Sequence, residues 1–449
     1  MTQSRFVREL NLWDASAIVV GCIIGAGIFR VPHAIAQHLQ NPLAILLTWV
    51  AGGILSMTGA LCYAELSGLF PKTGGDYIYL RETYGSLVSF LFGWTKLFVE
   101  RTGTIAIIAF VFSEYVGYLA GFPKEYARPL AVAAIIGLTA ANIVGLKYGK
   151  TIQNIFTTIK VLALAFIILL GLFFLPREIQ NGRTFPLVSG DGFSFSMIQS
   201  AGLALIFVLW TYGGWTEAAY VAEEVKNPSR NLPLAIIGGL AGVTLLYLLI
   251  NMVYYLYLSQ DQIRDTPLVA SAVVEKMIGH WGGKLVALFV ASSTFGALNG
   301  YILTGGRILY ALGEDHTLFR KLSTVHERFH TPFVALIFNG ACAVFLVLTK
   351  TFDQLMEYTT IIISIFFALT GLSVIILRHK RPEAARSYRV WGYPLTPVIF
   401  VGSTFLFIGN AIATAPGEAC FGFLLASFGL ILYFVSKQMD RHQTLLEKR

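Results

Sequence analysis

Apolar runs of about 20 residues recur along almost the whole of this 449-residue chain. A helix of that length crosses the ~30 Å hydrocarbon core of a bilayer. Inside lipid no water reaches the backbone, so each run must satisfy its own N–H and C=O groups. The sequence therefore predicts an all-α integral membrane protein. Composition agrees: 13% of residues are charged and mean hydropathy is +0.67, against roughly 25% charged in soluble domains. Twelve spans are predicted, near 13–38, 42–69, 84–118, 127–145, 152–175, 197–223, 231–257, 284–311, 332–349, 354–377, 395–413 and 418–437. Those longer than about 25 residues imply tilt or extension past the lipid. No removable signal peptide is expected, because MTQSRFVRELNLWD is polar and the apolar run after it is too long.

Placing the N-terminus inside puts 21 Lys or Arg on inner segments and eight on outer ones. That bias predicts both termini in the cytoplasm and a multi-pass protein of the plasma (inner) membrane. It also accounts for the net charge of +8 with no nucleic-acid partner. The cluster RHKRPEAARSYR, 378–389, is expected to hold its loop at the inner face; contact with lipid headgroups is the weaker alternative. Cys22, Cys62, Cys342 and Cys420 lie in or near apolar segments and read as small buried hydrophobes, with no disulfide or metal pattern. No metal or cofactor is expected. No GxxxxGK[ST] occurs and no loop can hold a nucleotide-binding domain, so transport would draw on an ion gradient or on exchange. HExxH and paired intramembrane aspartates are also absent, which disfavours an enzyme.

Two spans carry glycines where a helix should be continuous. GCIIGAGIFRVP, 21–32, has Gly21, Gly25 and Gly27, then Arg30 and Pro32. Broken backbone survives in a membrane only where protein, water or a ligand meets the freed groups. Pro32 suits an early turn of a restarted helix. Close helix packing through Gly21 and Gly25 is the competing explanation. The sixth span, IFVLWTYGGWTEAAYVAEE, holds a second pair, Gly213 and Gly214, among aromatics. Irregular helices five spans apart suggest an inverted repeat. Their half-helix N-termini would meet an anion, and their free carbonyls an ammonium. A free L-amino acid carries both groups. Phe29, Trp210, Tyr212 and Trp215 could enclose its side chain or gate access, or could simply pack.

Charged and polar residues inside spans add candidates. Lys160, well into the fifth span, is expected to act in place of a cation or to titrate, unless it snorkels. Arg30 is expected to guide carboxylates, close an outer gate with an acid, or reach a vestibule. Glu217 follows the second break; Glu65 and Lys96 suit helix pairing, and Glu100, Arg101 and Glu114 lie nearby. Asn299 faces substrate or bonds a neighbouring helix. Gly296, Gly300, Gly305 and Gly306 predict close helix approach.

The chain resembles the amino acid–polyamine–organocation superfamily, and within it a bacterial L-type amino acid transporter. GAGIF at 25–29, CYAELSGLFPKTGGDYIYLRETYG at 62–85, YGGW at 212–215, EEVKNPSRNLP at 223–233, GRILYALGEDH at 306–316 and HERFHTPF at 326–333 carry the likeness, in that order. The resemblance implies the LeuT/APC-like fold: a first five-helix repeat (1–175 with its tail), an inverted second repeat (176–377 with its external connection) and helices 11 and 12 (378–449). It implies sodium-independent exchange of small or medium neutral amino acids, with proton-coupled uptake or cationic substrates as alternatives. Substrate carboxylate is expected against the backbone of Ala26, Gly27 and Ile28, and the amino group near the carbonyls around Ile24 and Gly25, with Trp210, Tyr212, Gly213 and Asn299 completing the site. Phe29 and Trp210 are the implied gates, and Lys160 the amine that replaces a sodium ion. Three departures stand out: Ala26 where many relatives have serine, Thr216 and Glu217 after the break, and GFPKEYARP, 121–129, without the cysteine that binds a glycoprotein partner. No disulfide-linked partner is therefore expected.

Overall fold

The computed structural model describes residues 10–72, 74–144, 150–174, 195–329, 331–414 and 416–447. The first span is two helices, α1 (Leu12–Ile23) and α2 (Gly27–His38), followed by α3 (Pro42–Leu69) and the short α4 (Asp76–Tyr84). The third span comprises α5 (Ser86–Thr95), a π-helical turn (Lys96–Arg101) and α6 (Thr102–Ala120). Next come α7 (Ala127–Val144), α8 (Lys150–Phe173) and α9 (Phe195–Tyr212), which gives way to a 3-10 segment (Glu217–Glu224). The remainder is α10 (Pro228–Tyr257), α11 (Gln260–Asp265), α12 (Val269–Ile278), α13 (His280–Asp315), α14 (Phe333–Thr349), α15 (Phe352–Lys380), α16 (Leu395–Thr414) and α17 (Pro416–Glu447).

Each predicted span overlaps helix among the described residues, with residues 24–26 and 213–216 outside helix in the first and sixth. Among the described residues nine stretches are long and apolar enough to cross a membrane, and three shorter apolar helices, Thr157–Phe173, Gln199–Tyr212 and Phe333–Thr349, fall in the remaining spans. The tail before residue 10 and the boundary near 175 lie outside the described residues. Large apolar side chains such as Leu406, Leu169 and Phe345 are exposed around the bundle. A bilayer accounts for that surface, since water would not tolerate it at this extent.

Local chemistry fixes several helix ends. Asn11 accepts from the N–H groups of Trp13 (2.8 Å) and Asp14 (3.1 Å), while Asp14 accepts from Asn11 N–H at 2.9 Å. This reciprocal box starts α1 sharply. Pro32 sits deeper in α2 than expected, past its first turn, where it removes a helix donor. Packing gathers α1, α3, α9 and α10 into one group and α6, α7, α13 and α14 into another, with α15 touching α3, α6 and α9.

Two expectations are corrected. Of the α13 glycines, Gly305 and Gly306 permit close approach, since a Cβ there would meet Asn339 and Leu336 at 2.5 Å; a Cβ on Gly300 would meet nothing from another element within 4 Å. Of the cysteines, Cys62 is buried, Cys22 and Cys342 are half-buried and Cys420 is exposed, because α17 turns part of its surface outward.

Gly214 has φ +106°, and a Cβ there would lie 2.7 Å from the Cys22 carbonyl carbon. Gly214→Ala is therefore expected to cost about 1–3 kcal/mol in backbone strain alone, plus the clash with main chain. The check is a lower melting temperature in detergent together with loss of ligand-dependent stabilisation.

Candidate functional site

At the first break Ile24, Gly25 and Ala26 leave the helix, and the carbonyls before them need other donors. Ile23 O accepts from Gly25 N–H and from the buried Tyr247 hydroxyl, both at 2.8 Å. Gly21 O accepts from Lys160 Nζ at 3.3 Å; further back, inside α1, Ala17 O also accepts from Thr157 Oγ1 at 3.1 Å and ties α8 to that helix. On the other side α2 begins at Gly27, and no side chain caps it. Its N-terminal amides carry the partial positive charge of a helix start.

The second break is a run of turns at 213–216. Gly213 N–H donates to Trp210 O at 2.9 Å, and Glu217 N–H to Gly214 O at 3.1 Å. Gly214 lies against the backbone of Cys22 and Ile23, while a Cβ on Gly27 would strike Thr211 at 2.8 Å. The two interruptions therefore touch: each glycine admits the other segment's main chain or side chain where a larger residue would not fit.

A cavity of about 1140 Å³ adjoins them. Gly25, Ala26, Gly27, Trp210, Gly213, Asn299 and Lys160 line it. Lys160 is nonetheless only 5% exposed, held between α8 and the end of α1. Asn299 borders the cavity and also accepts from Asn142 Nδ2 at 2.7 Å, so both roles weighed for it have a structural counterpart.

Four candidates do not line the cavity. Ile24 and Ile28 are fully buried, as side chains on the packed faces of the half-helices. Phe29 is also fully buried, its carbonyl accepting from Tyr115 Oη at 3.2 Å. Tyr212 turns away, donating to Trp49 O at 3.3 Å and packing among Trp49 and Tyr247. One residue before a break, a side chain can point behind the site as readily as into it. Trp215, one residue after the glycines, does line the cavity.

The cavity continues to the end of the bundle at the start of α1, where Leu10, Asp14, Glu224 and Arg307 line it. Toward the opposite face Arg30 Nε meets Glu114 Oε2 at 2.9 Å, and its guanidinium lies 4.6 Å from the Phe352 ring centre. None of these three lines the cavity. The cavity lining therefore reaches Leu10 and Glu224 and stops short of the Arg30–Glu114 pair.

Below the breaks sits a charge cluster that spacing alone did not assemble. The π turn places Lys96, Glu100 and Arg101 on one side, since i→i+5 bonding brings residues five apart into line. Lys96 Nζ lies 3.3 Å from Glu100 and 3.4 Å from Glu217; Arg101 reaches Glu217 at 3.5 Å and Glu100 at 3.8 Å. Two cations and two anions cancel. The side chains are 3–17% exposed, so each depends on the others for solvation. The sequence signal was present, as charges in an apolar span are expected to be paired. Glu65 pairs helices as expected, α3 with Arg378 of α15, and adds partners from the segment that follows. It accepts from Arg378 at 2.9 and 2.6 Å and from Val390 N–H at 2.7 Å, with Arg386 at 3.2 Å. Part of the 378–389 cluster is therefore turned inward onto a buried acid rather than out toward the membrane surface.

Two interrupted apolar helices crossing beside a one-sided cavity, within a bundle surfaced for lipid, define a multi-pass membrane transporter for a small solute. The particular kind follows from comparison with known proteins. Residues 10–435 match the family model for amino acid permeases, and the chain belongs to that family, within the amino acid–polyamine–organocation superfamily. It is 34% identical to the mouse b(0,+)-type amino acid transporter 1 over 435 residues, covering 95% of this chain and 88% of that one. It is 32% identical to the serine/threonine exchanger SteT of Bacillus subtilis over 440 residues, 96% and 97% of the two chains. A third relative, the mouse Asc-type amino acid transporter 1, is 32% identical over 437 residues, 95% and 81%. The chain is an amino acid transporter and not an enzyme.

Glu217→Gln leaves Lys96 and Arg101 sharing one acid. Removing one member of a buried ionic group costs about 3–5 kcal/mol, so this variant should melt earlier and yield less folded protein. Adding Lys96→Met should recover part of the loss in a double-mutant cycle. Simple additivity of the two changes would show that the cluster is not coupled.

Proposed function

We propose that this chain exchanges amino acids across the plasma membrane without sodium, by alternating access, as a bacterial L-type carrier. The contact between the two breaks, Gly214 on Cys22 and Gly27 on Thr211, is the observation that carries this reading. It brings an uncapped helix start and loosened carbonyls to one cavity, the complement of a carboxylate and an ammonium. In this reading residues 1–175 and 176–377 form inverted five-helix repeats, 378–449 adds two helices, and both termini are cytoplasmic. The structure then represents the inward-open state, with Arg30, Glu114 and Phe352 as the closed outer gate. Substrate carboxylate sits at the amides of Ala26, Gly27 and Ile28, and Trp210 closes over the side chain.

Lys160 supports sodium independence. Its ammonium donates to Gly21 O and bridges α8 to the end of α1. A fixed cation in that place removes the need for a diffusible one. Lys160→Ala removes a charge-assisted bond of about 1.5–3 kcal/mol, and turnover should fall about tenfold or more. Unchanged exchange, or a sodium dependence already present in the unaltered protein, would reject this role.

For substrate range two readings stand. Glu217 is engaged by Lys96 and Arg101, which favours neutral side chains. The b(0,+)-type relatives, whose label carries both 0 and +, favour a range extending to cationic side chains, and a cavity of about 1140 Å³ has room for them. The comparisons lean toward this wider range.

Purified protein in sealed vesicles tests both. Labelled L-serine and L-arginine should enter about tenfold faster, a 1.4 kcal/mol effect, when the lumen holds unlabelled amino acid. The rate should not change when choline replaces sodium. Equal initial uptake into substrate-free vesicles, driven by an acid-outside gradient, would replace exchange with proton-coupled entry. Failure of L-arginine to enter or compete would leave the neutral range.

A further inference from the structure

The buried ion pairs of this protein are closed in two places and open in a third. Arg30 meets Glu114 at 2.9 Å, and Arg378 meets Glu65 at 2.6 Å; neither pair lines the cavity. Charge-assisted bonds run at about 2.7–2.9 Å when fully made. In the cluster between the π turn and the 3-10 segment, the four contacts run from 3.3 to 3.8 Å. Lys96, Glu100, Arg101 and Glu217 all line the cavity. Aromatic rings hold the two cations from the side. The Arg101 guanidinium lies 4.8 Å from the Tyr301 ring centre, and Lys96 Nζ lies 5.4 Å from that of Tyr220.

The widest contact is Arg101 Nε to Glu100 Oε2, at 3.8 Å. Among the described residues both atoms are buried without a hydrogen-bond partner. A buried donor and a buried acceptor left so are costly, and the cavity they border is where partners can reach them. The chemistry of a matching group is narrow. A cation would meet Lys96 and Arg101, and an anion would meet Glu100 and Glu217. An alkyl group would leave both atoms unpaired. A hydroxyl offers little beyond the water it displaces. A primary carboxamide is neutral and carries an acceptor oxygen and a donor nitrogen in one plane. Its C=O would accept from Arg101 Nε–H while its NH2 donates to Glu100 Oε2.

The cluster stands beside the breaks. Glu217 comes three residues after Gly214, which packs on Cys22, and Gly25, Gly27 and Tyr301 line the same cavity. A substrate held by its carboxylate and ammonium at the breaks therefore has this cluster within reach of its side chain. We infer that Glu100 and Arg101 form a carboxamide subsite, which makes L-asparagine or L-glutamine the preferred class of substrate. This rests on the amino acid exchange proposed above and narrows its range, with amides ahead of both alkyl and charged side chains. Selectivity of this kind is strong, because a ligand without the amide leaves the site's buried polar atoms unpaired.

Binding to the purified full-length protein in detergent, read by titration calorimetry, tests this without transport. L-Asparagine is compared with L-leucine, and L-glutamine with L-homoleucine, since each pair shares one shape and differs only in the amide. In at least one pair the amide should bind about tenfold tighter or more. A smaller advantage in both pairs overturns the inference. So does tighter binding of L-lysine or L-glutamate than of either amide. In Glu100→Gln the same ratio should fall to about threefold or less, because the charged acceptor is gone. The ratio is taken within one sample, so a lower yield of folded variant does not alter it. An unchanged ratio overturns the role of Glu100. Should Glu100→Gln not fold, the two pairs on the unaltered protein decide. Amide preference in a protein whose vesicles exchange no amino acid would reject the proposed exchange and support the subsite. Exchange without that preference would reject the subsite alone.

Discussion

A backbone carbonyl freed inside a membrane must find a donor, and the arrangement at the centre of this protein follows from that requirement. The C-terminal end of α1 stops in the middle of the bundle, and its carbonyls are met by Tyr247 from α10, Lys160 from α8, and the Gly25 amide. Each donor lies on a different element from the break or just beyond it. The gap in one helix is therefore supported by its neighbours, and what remains unsupported, the start of α2 and the turn at Gly213, borders the cavity. The same feature that makes the fold costly in lipid leaves polar backbone facing the cavity.

Buried charge is handled on the same principle. Lys96, Glu100, Arg101 and Glu217 form a neutral set between the π turn and the exit of the second break. Arg30 and Glu114 do so at the opposite end, with Phe352 beneath the guanidinium. Asp76 gathers the hydroxyls of Tyr63, Tyr220 and Thr370 at the start of α4, where the helix dipole also favours its negative charge. Each cluster draws residues from at least two elements. Such contacts define one relative placement of those elements, and a carrier must give up some of them to adopt another.

Hydropathy located the helices because the signal is long and the constraint strict. About 20 consecutive apolar residues have few structures available in a bilayer. The glycine pairs located the breaks for a related reason: their chemistry is local, and Gly214 at φ +106° is a conformation other residues resist. Side-chain direction was less legible. Tyr212 and Trp215 flank the same glycines, yet the first packs on Trp49 behind the site and the second borders the cavity. A turn rotates the chain by an amount that composition does not encode. The π turn was illegible too, since KLFVER fits either helix type, and its extra residue is what brings Arg101 beside Glu217.

Sequence alone determined that this chain is a helical membrane protein with two interrupted spans and charges in unusual places, because those properties depend on solvent transfer and local backbone freedom. Only the tertiary structure decided that the interruptions touch, that Glu65 belongs to Arg378 and Arg386, that Tyr247 supports the first break, and which candidate side chains border the cavity. These are contacts between residues far apart in the chain, such as Ile23 with Tyr247. Their partners are chosen by how whole helices pack, a choice made collectively by many side chains.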